Sequence, residues 1–109
     1  MAVKVTADNF QSALAAGGVP VLVDFYSEGC VPCRRMSPVL AELEEEYDGR
    51  VKLIKVNVAA GTALTDKYEI LAAPTLVFFM NGQERARLSG VNGKGVLRGI
   101  IDKILEESK

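Results

Sequence analysis

Apolar residues in this chain follow two periodicities, and the alternation between them predicts the elements. Val21-Leu22-Val23-Asp24-Phe25-Tyr26 is apolar at odd and even positions alike, apart from one acid. Such a run predicts a strand buried on both faces, as in parallel sheets covered by helices on either side. A similar run at 51–58 predicts a second buried strand, and residues 3–5 a short one. Met36, Val39, Leu40, Leu43 and Tyr47 recur at helical spacing, with Glu42, Glu44, Glu45 and Glu46 on the opposite, solvated face. This predicts a helix over 30–47, bent at Pro38 and stopped by Gly49. Thr6 or Asp8 can cap an earlier helix through Phe10, Leu14 and Ala15, ended by Gly17-Gly18. A short helix is expected over 62–68. Thr75–Met80 and 84–89 flank Asn81-Gly82, the sequence signal of a hairpin. A last helix carries Val96, Leu97, Ile100, Ile101, Ile104 and Leu105 inward. The order is βαβαβα followed by ββα, which predicts a mixed sheet between helices.

Composition narrows the function classes. With 109 residues, 49% apolar and 25% charged, the chain can bury a core without metal or disulfide support, and residues 1–109 read as one domain. The net charge of −1 lacks the basic excess that binding nucleic acid requires. The longest apolar runs, 19–25 and 71–80, fall short of the roughly 20 residues that cross a bilayer. No signal-peptide pattern opens the sequence, so a cytoplasmic location without membrane association is expected. In that compartment a permanent structural disulfide is uncommon, and a close cysteine pair reads as redox-active or metal-binding.

That pair is Cys30-Val31-Pro32-Cys33, placed where a buried strand gives way to a helix. Cysteines three apart share one side of the first helical turn, where their sulfurs can bond. The unpaired N–H groups and positive end of the helix dipole stabilise a thiolate, the species that attacks disulfides. Pro32 suits a first turn because no helical acceptor awaits its missing N–H. Arg34 and Arg35 either support negative charge on sulfur or are simply solvated. A zinc site would need four ligands, and the chain has no other Cys and no His. Only a homodimer sharing both pairs would supply them, so redox chemistry is the preferred reading and no metal is expected. Asp24 is the second candidate. A carboxylate inside a doubly buried strand is costly unless paired or neutral. Lys55, on the neighbouring predicted strand, is a possible partner. The functional alternative, which we favour, is a proton acceptor with a raised pKa behind the cysteines.

Residues 23–38, Val-Asp-Phe-Tyr-Ser-Glu-Gly-Cys-Val-Pro-Cys-Arg-Arg-Met-Ser-Pro, resemble the active-site stretch of thioredoxins. Lys67-Tyr68-Glu69-Ile70 through Ala73-Pro74-Thr75 resembles their second signature, and Asn81-Gly82 and Ser89-Gly90-Val91 follow at matching intervals. The resemblance covers essentially the whole chain. It implies the thioredoxin fold, a five-stranded mixed sheet flanked by four helices. It also implies Cys30 as exposed nucleophile, Cys33 as resolving thiol, Asp24 as buried acid and Lys55 as its supporting neighbour. Pro74 would be the cis-proline against the disulfide, and Gly29, Val31, Pro32, Ala73, Pro74 and Gly90 would form the substrate-binding surface. Two departures stand out. Typical members carry Trp-Cys-Gly-Pro-Cys where this chain has Gly29-Cys30-Val31-Pro32-Cys33, and Tyr26 replaces a usual tryptophan.

The expected activity is therefore reduction of protein disulfides by dithiol–disulfide exchange, with no cofactor beyond the Cys30–Cys33 disulfide. The expected partners are a thioredoxin reductase or equivalent electron donor and disulfide-containing client proteins, with the protein acting as a monomer. A thioredoxin-fold binding module without turnover is the alternative, and it has no need of Asp24, Cys30, Cys33 and Pro74 together.

Overall fold

A computed structural model describes residues 3–4, 9–15, 18–59 and 62–107. Its elements are β1 (Val3–Lys4), α1 (Phe10–Leu14), β2 (Val21–Tyr26), α2 (Val31–Glu46), β3 (Lys52–Asn57), α3 (Thr62–Lys67), β4 (Thr75–Met80), β5 (Gln83–Ser89) and α4 (Lys94–Glu107). Four strands of six or seven residues form the body of the sheet, and the two-residue β1 extends one edge in the order β1-β3-β2-β4-β5. β1, β3 and β2 run parallel, whereas β4 is antiparallel to β2 and to β5. This is the mixed sheet expected from the element order.

β2 and β4 lie inside the sheet and are buried almost throughout, which explains their unbroken apolar runs. Because side chains alternate along a strand, each face of the sheet receives its own core. Val21, Val23, Phe25, Ile54, Val56, Val77 and Phe79 pack with Phe10 and Leu14 of α1 and Leu64 of α3. Leu22, Leu53, Leu76, Phe78 and Met80 pack on the other face with Met36, Leu40 and Leu43 of α2 and Leu97, Ile101 and Ile104 of α4. Asp24 and Tyr26 of β2, and Lys55 of β3, continue this second face by the same alternation.

Asn81 (φ 53°) and Gly82 (φ 80°) both occupy the left-handed region, the geometry a two-residue type I′ hairpin turn demands. Several expectations shift. α1 begins after Asn9, which makes no side-chain cap, while Val5, Thr6, Asp8 and Gly17 lie outside the described residues. Cys30 caps α2 from outside the helix, and the helix runs on through Pro38 to Glu46. Val96 is exposed, because it precedes the buried Leu97–Ile101–Ile104 stripe on the first turn of α4. The α2 glutamates are not merely solvated. Glu46 takes two guanidinium bonds from Arg98, at 2.9 and 3.0 Å, and Lys94 reaches both Glu42 (3.4 Å) and Glu46 (3.2 Å).

Candidate active site

β2 ends at Tyr26 and α2 starts at Val31, so the intervening turn lies at the C-terminal end of a central parallel strand. Ligand sites of α/β sheets gather at such ends. Cys30, at the helix N-cap, and Cys33, in the first turn, are joined in a disulfide with Cα atoms 5.2 Å apart. The two sulfurs differ in environment. Cys30 is partly exposed, whereas Cys33 is only 6% exposed beneath the helix. The Cys33 N–H donates to Cys30 Sγ at 3.1 Å, so an orphan donor of the first turn already points at the outer sulfur. Pro32, which has no N–H, occupies that turn without leaving a donor unused. The Ala73 carbonyl oxygen lies 3.6 Å from Cys30 Sγ. A disulfide sulfur carries no proton, so this is a contact now and becomes a donor–acceptor pair once Cys30 is a thiol.

The Ala73–Pro74 peptide bond is cis, as the resemblance implied. Its loop is tied down on both sides, by Thr75 Oγ1 donating to the Ala72 carbonyl (2.6 Å) and the Gly90 N–H donating to the Pro74 carbonyl (2.9 Å). Of Ala73, Pro74 and Gly90, Ala73 touches the disulfide, and Gly90 is linked to it through Pro74. Gly29 and Val31 flank Cys30, and Val31 is 52% exposed. Gly29 has φ 74°, so its backbone conformation itself favours glycine. Arg34 and Arg35 are exposed.

Asp24 is 1% exposed, and its Oδ1 has no hydrogen-bond partner. Burial raises its pKa to about 6, with the nearby positive charge of Lys55 opposing part of that rise. Asp24 and Lys55 stand opposite each other in the β2–β3 register, as anticipated. Lys55 does not satisfy the buried oxygen, however. Its ammonium rests over the Tyr26 ring, 4.9 Å from the centroid. Asp24, Cys33 and Lys55 open onto one cavity of about 290 Å³, also lined by Tyr26, Glu28, Arg34 and Ser37. The acid and the inner cysteine thus share a route to water. Two site features escaped the sequence reading. Tyr26 follows Asp24 by two residues, so strand periodicity already placed it on the same face. Ser37 follows Cys33 by one helical turn and donates to its carbonyl at 3.3 Å.

The thioredoxin family model matches residues 1–103. The chain belongs to the thioredoxin family. It is 39% identical to thioredoxin C-2 of Corynebacterium nephridii over 101 residues, covering 93% of this chain and 94% of that one. It is 36% identical to thioredoxin 1 of Nostoc sp., covering 95% and 97%, and 37% identical to a thioredoxin of Staphylococcus epidermidis, covering 94% and 97%. Thioredoxins are thiol–disulfide oxidoreductases that reduce protein disulfides, and the Cys30–Cys33 pair gives this chain that function. Among the described residues no cluster of three or more His, Cys, Asp or Glu is placed to hold a metal. Among them, too, no helix is long and apolar enough to cross a membrane.

Proposed function

We propose the following division of labour within this thioredoxin, carried above all by a partly exposed cysteine at a helix N-cap bonded to a buried one, which shares a cavity with a carboxyl whose Oδ1 is unpartnered. The Cys30 thiolate attacks a sulfur of a client disulfide, forming a mixed disulfide and releasing the first client sulfur as a thiolate. Cys33 then loses its proton to Asp24, through the water of the shared cavity, and attacks Cys30 Sγ. The Cys30–Cys33 disulfide forms, the second client thiolate leaves, and two electrons have passed to the client. A thioredoxin reductase or equivalent donor returns the protein to the dithiol. Lys55 limits how far burial raises the proton affinity of Asp24. Clients lie across Gly29, Val31, Pro32, Ala73, Pro74 and Gly90, the segments that surround Cys30. The protein works in the cytoplasm as a single-domain monomer and needs no cofactor beyond its own disulfide.

Trapping tests this reading. In the reduced protein at neutral pH, alkylation strikes Cys30 much faster than Cys33, and a Cys33→Ser variant accumulates stable mixed disulfides with clients. Equal alkylation rates, or a variant that traps nothing from an oxidised protein substrate, would reverse the assignment. A module that binds without turnover would hold partners equally well with Cys30→Ser, which the exchange mechanism forbids.

A further inference from the structure

Asp24, Tyr26 and Lys55 occupy one face at the C-terminal end of the β2–β3 pair, under the first turn of α2. Lysine side chains ordinarily extend their ammonium group to open water. Here the group is retained at the cavity, seated on an aromatic face within the range of a cation–π contact. No hydrogen bond fastens it to the buried Asp24 oxygen, so the ring is the feature that fixes its position.

We propose that Tyr26 is a positioning residue: its ring holds the Lys55 ammonium at the cavity, and thereby sets how strongly Asp24 binds the proton it takes from Cys33. The inference rests on the roles of Asp24 and Lys55 given above. The titratable and charged groups facing Asp24 are Tyr26 on its own strand, Lys55 on β3, Cys33 and Arg34 on α2 and Glu28 on the preceding turn; across the sheet, β4 presents the apolar Leu76. Lys55 is the one held on Tyr26. Without the ring, the ammonium moves into water, its attraction for the carboxylate is screened, and Asp24 binds its proton more tightly.

The test is the carbon-detected NMR titration of the Asp24 carboxyl in the full chain, both oxidised and reduced. Lys55→Met raises the midpoint, and Tyr26→Leu raises it by a fraction of that amount, since the ammonium is displaced into water but not removed. Tyr26→Phe, which keeps the ring, leaves the midpoint at the wild-type value. In the Lys55→Met background, Tyr26→Leu adds no further rise. The pH profile of client release from the Cys30 mixed disulfide moves with the same midpoint. A rise with Lys55→Met but not with Tyr26→Leu overturns the positioning role and leaves the wider mechanism intact. No rise with Lys55→Met removes Lys55 from the mechanism itself. A Tyr26→Leu rise that persists without Lys55 means the ring acts on Asp24 by a route other than the ammonium, and a fall means that it acts by excluding water; either overturns the proposal. A measurement on the unmutated protein guards against a variant that fails to fold. The Lys55 ε-methylene protons show an upfield ring-current shift, and solvent-like values would refute the contact.

Discussion

Phe25 and Asp24 are neighbours on β2 and equally removed from water, at 0% and 1% exposure, yet they enter opposite faces of the sheet. The Phe25 face is closed mainly by apolar matter, with the buried Thr75 opposite Phe25 as a polar exception that satisfies itself on the Ala72 carbonyl. Phe10, Phe25, Tyr68 and Phe79 meet there with ring centroids 5.5–6.5 Å apart, two of the pairs edge-on. The opposite face is equally apolar at Leu22 and changes character two residues later, where Asp24 looks into a cavity and not into packed carbon. One strand therefore serves as an anchor on one side and as the wall of a reaction site on the other. Both faces carry a core, and the cost of function falls on the second.

Substitutions at the two neighbours should separate these roles. Phe25→Ala removes a fully buried ring from the aromatic cluster and lowers stability by about 3–5 kcal/mol, read from the midpoint of denaturant unfolding. A loss under about 1 kcal/mol would mean that the cluster adds little beyond area. Asp24→Asn acts in the opposite direction and depends on pH. Because the folded pKa is raised from 3.8 to about 6, the wild type keeps its full stability below pH 3.8 and loses it progressively as pH rises through 6. The interval corresponds to roughly 3 kcal/mol. The variant should thus match the wild type near pH 3 and exceed it by up to that amount above pH 7. Parallel stability curves for the two proteins would rule out a strained buried acid.

Smaller effects sharpen the comparison at the rim of the second face. A Cβ at Gly29 would meet no neighbouring atom within 4 Å, but φ 74° strains any L-residue there. Gly29→Ala should cost about 1–2 kcal/mol. Gly29→Trp carries the same strain while restoring an aromatic contact surface, and together with Val31→Gly it should speed reduction of protein disulfides under a fixed chemical reductant. Exchange with small disulfides serves as the control, and equal acceleration of both would deny a role in client selection. Tyr47→Phe deletes the 2.6 Å bond from the phenol to Asp102 that joins α2 to α4. About 1 kcal/mol should be lost without any change in redox activity.

The element order and the cysteine pair were legible because they depend on periodicity and spacing, which are local. Strand alternation was enough to bring Asp24 opposite Lys55. It was not enough to show where the ammonium goes, since that depends on a competition between an aromatic face, a buried oxygen and water. Gly29 illustrates a similar gap. From sequence it reads as the loss of an aromatic anchor, whereas its positive φ gives the backbone its own reason for glycine. Likewise, the glutamates of α2 read as solvent-facing because their partners, Lys94 and Arg98, are about fifty residues away on α4. The cis bond before Pro74 came from family resemblance, as nothing in the residues themselves requires it.

The fastening of the 72–75 loop bears on how the protein carries charge. Thr75 grips the carbonyl on one side of Ala73 and Gly90 grips the one on the other, so the Ala73 oxygen is stationed beside Cys30 while the sulfurs are still bonded to each other. The Cys33 N–H is stationed there as well. A thiol at Cys30 finds its acceptor waiting, and a thiolate finds its donor. The disulfide form thus already holds the acceptor and the donor that a reduced Cys30 can use, so the seat of the outer sulfur is built before two electrons arrive.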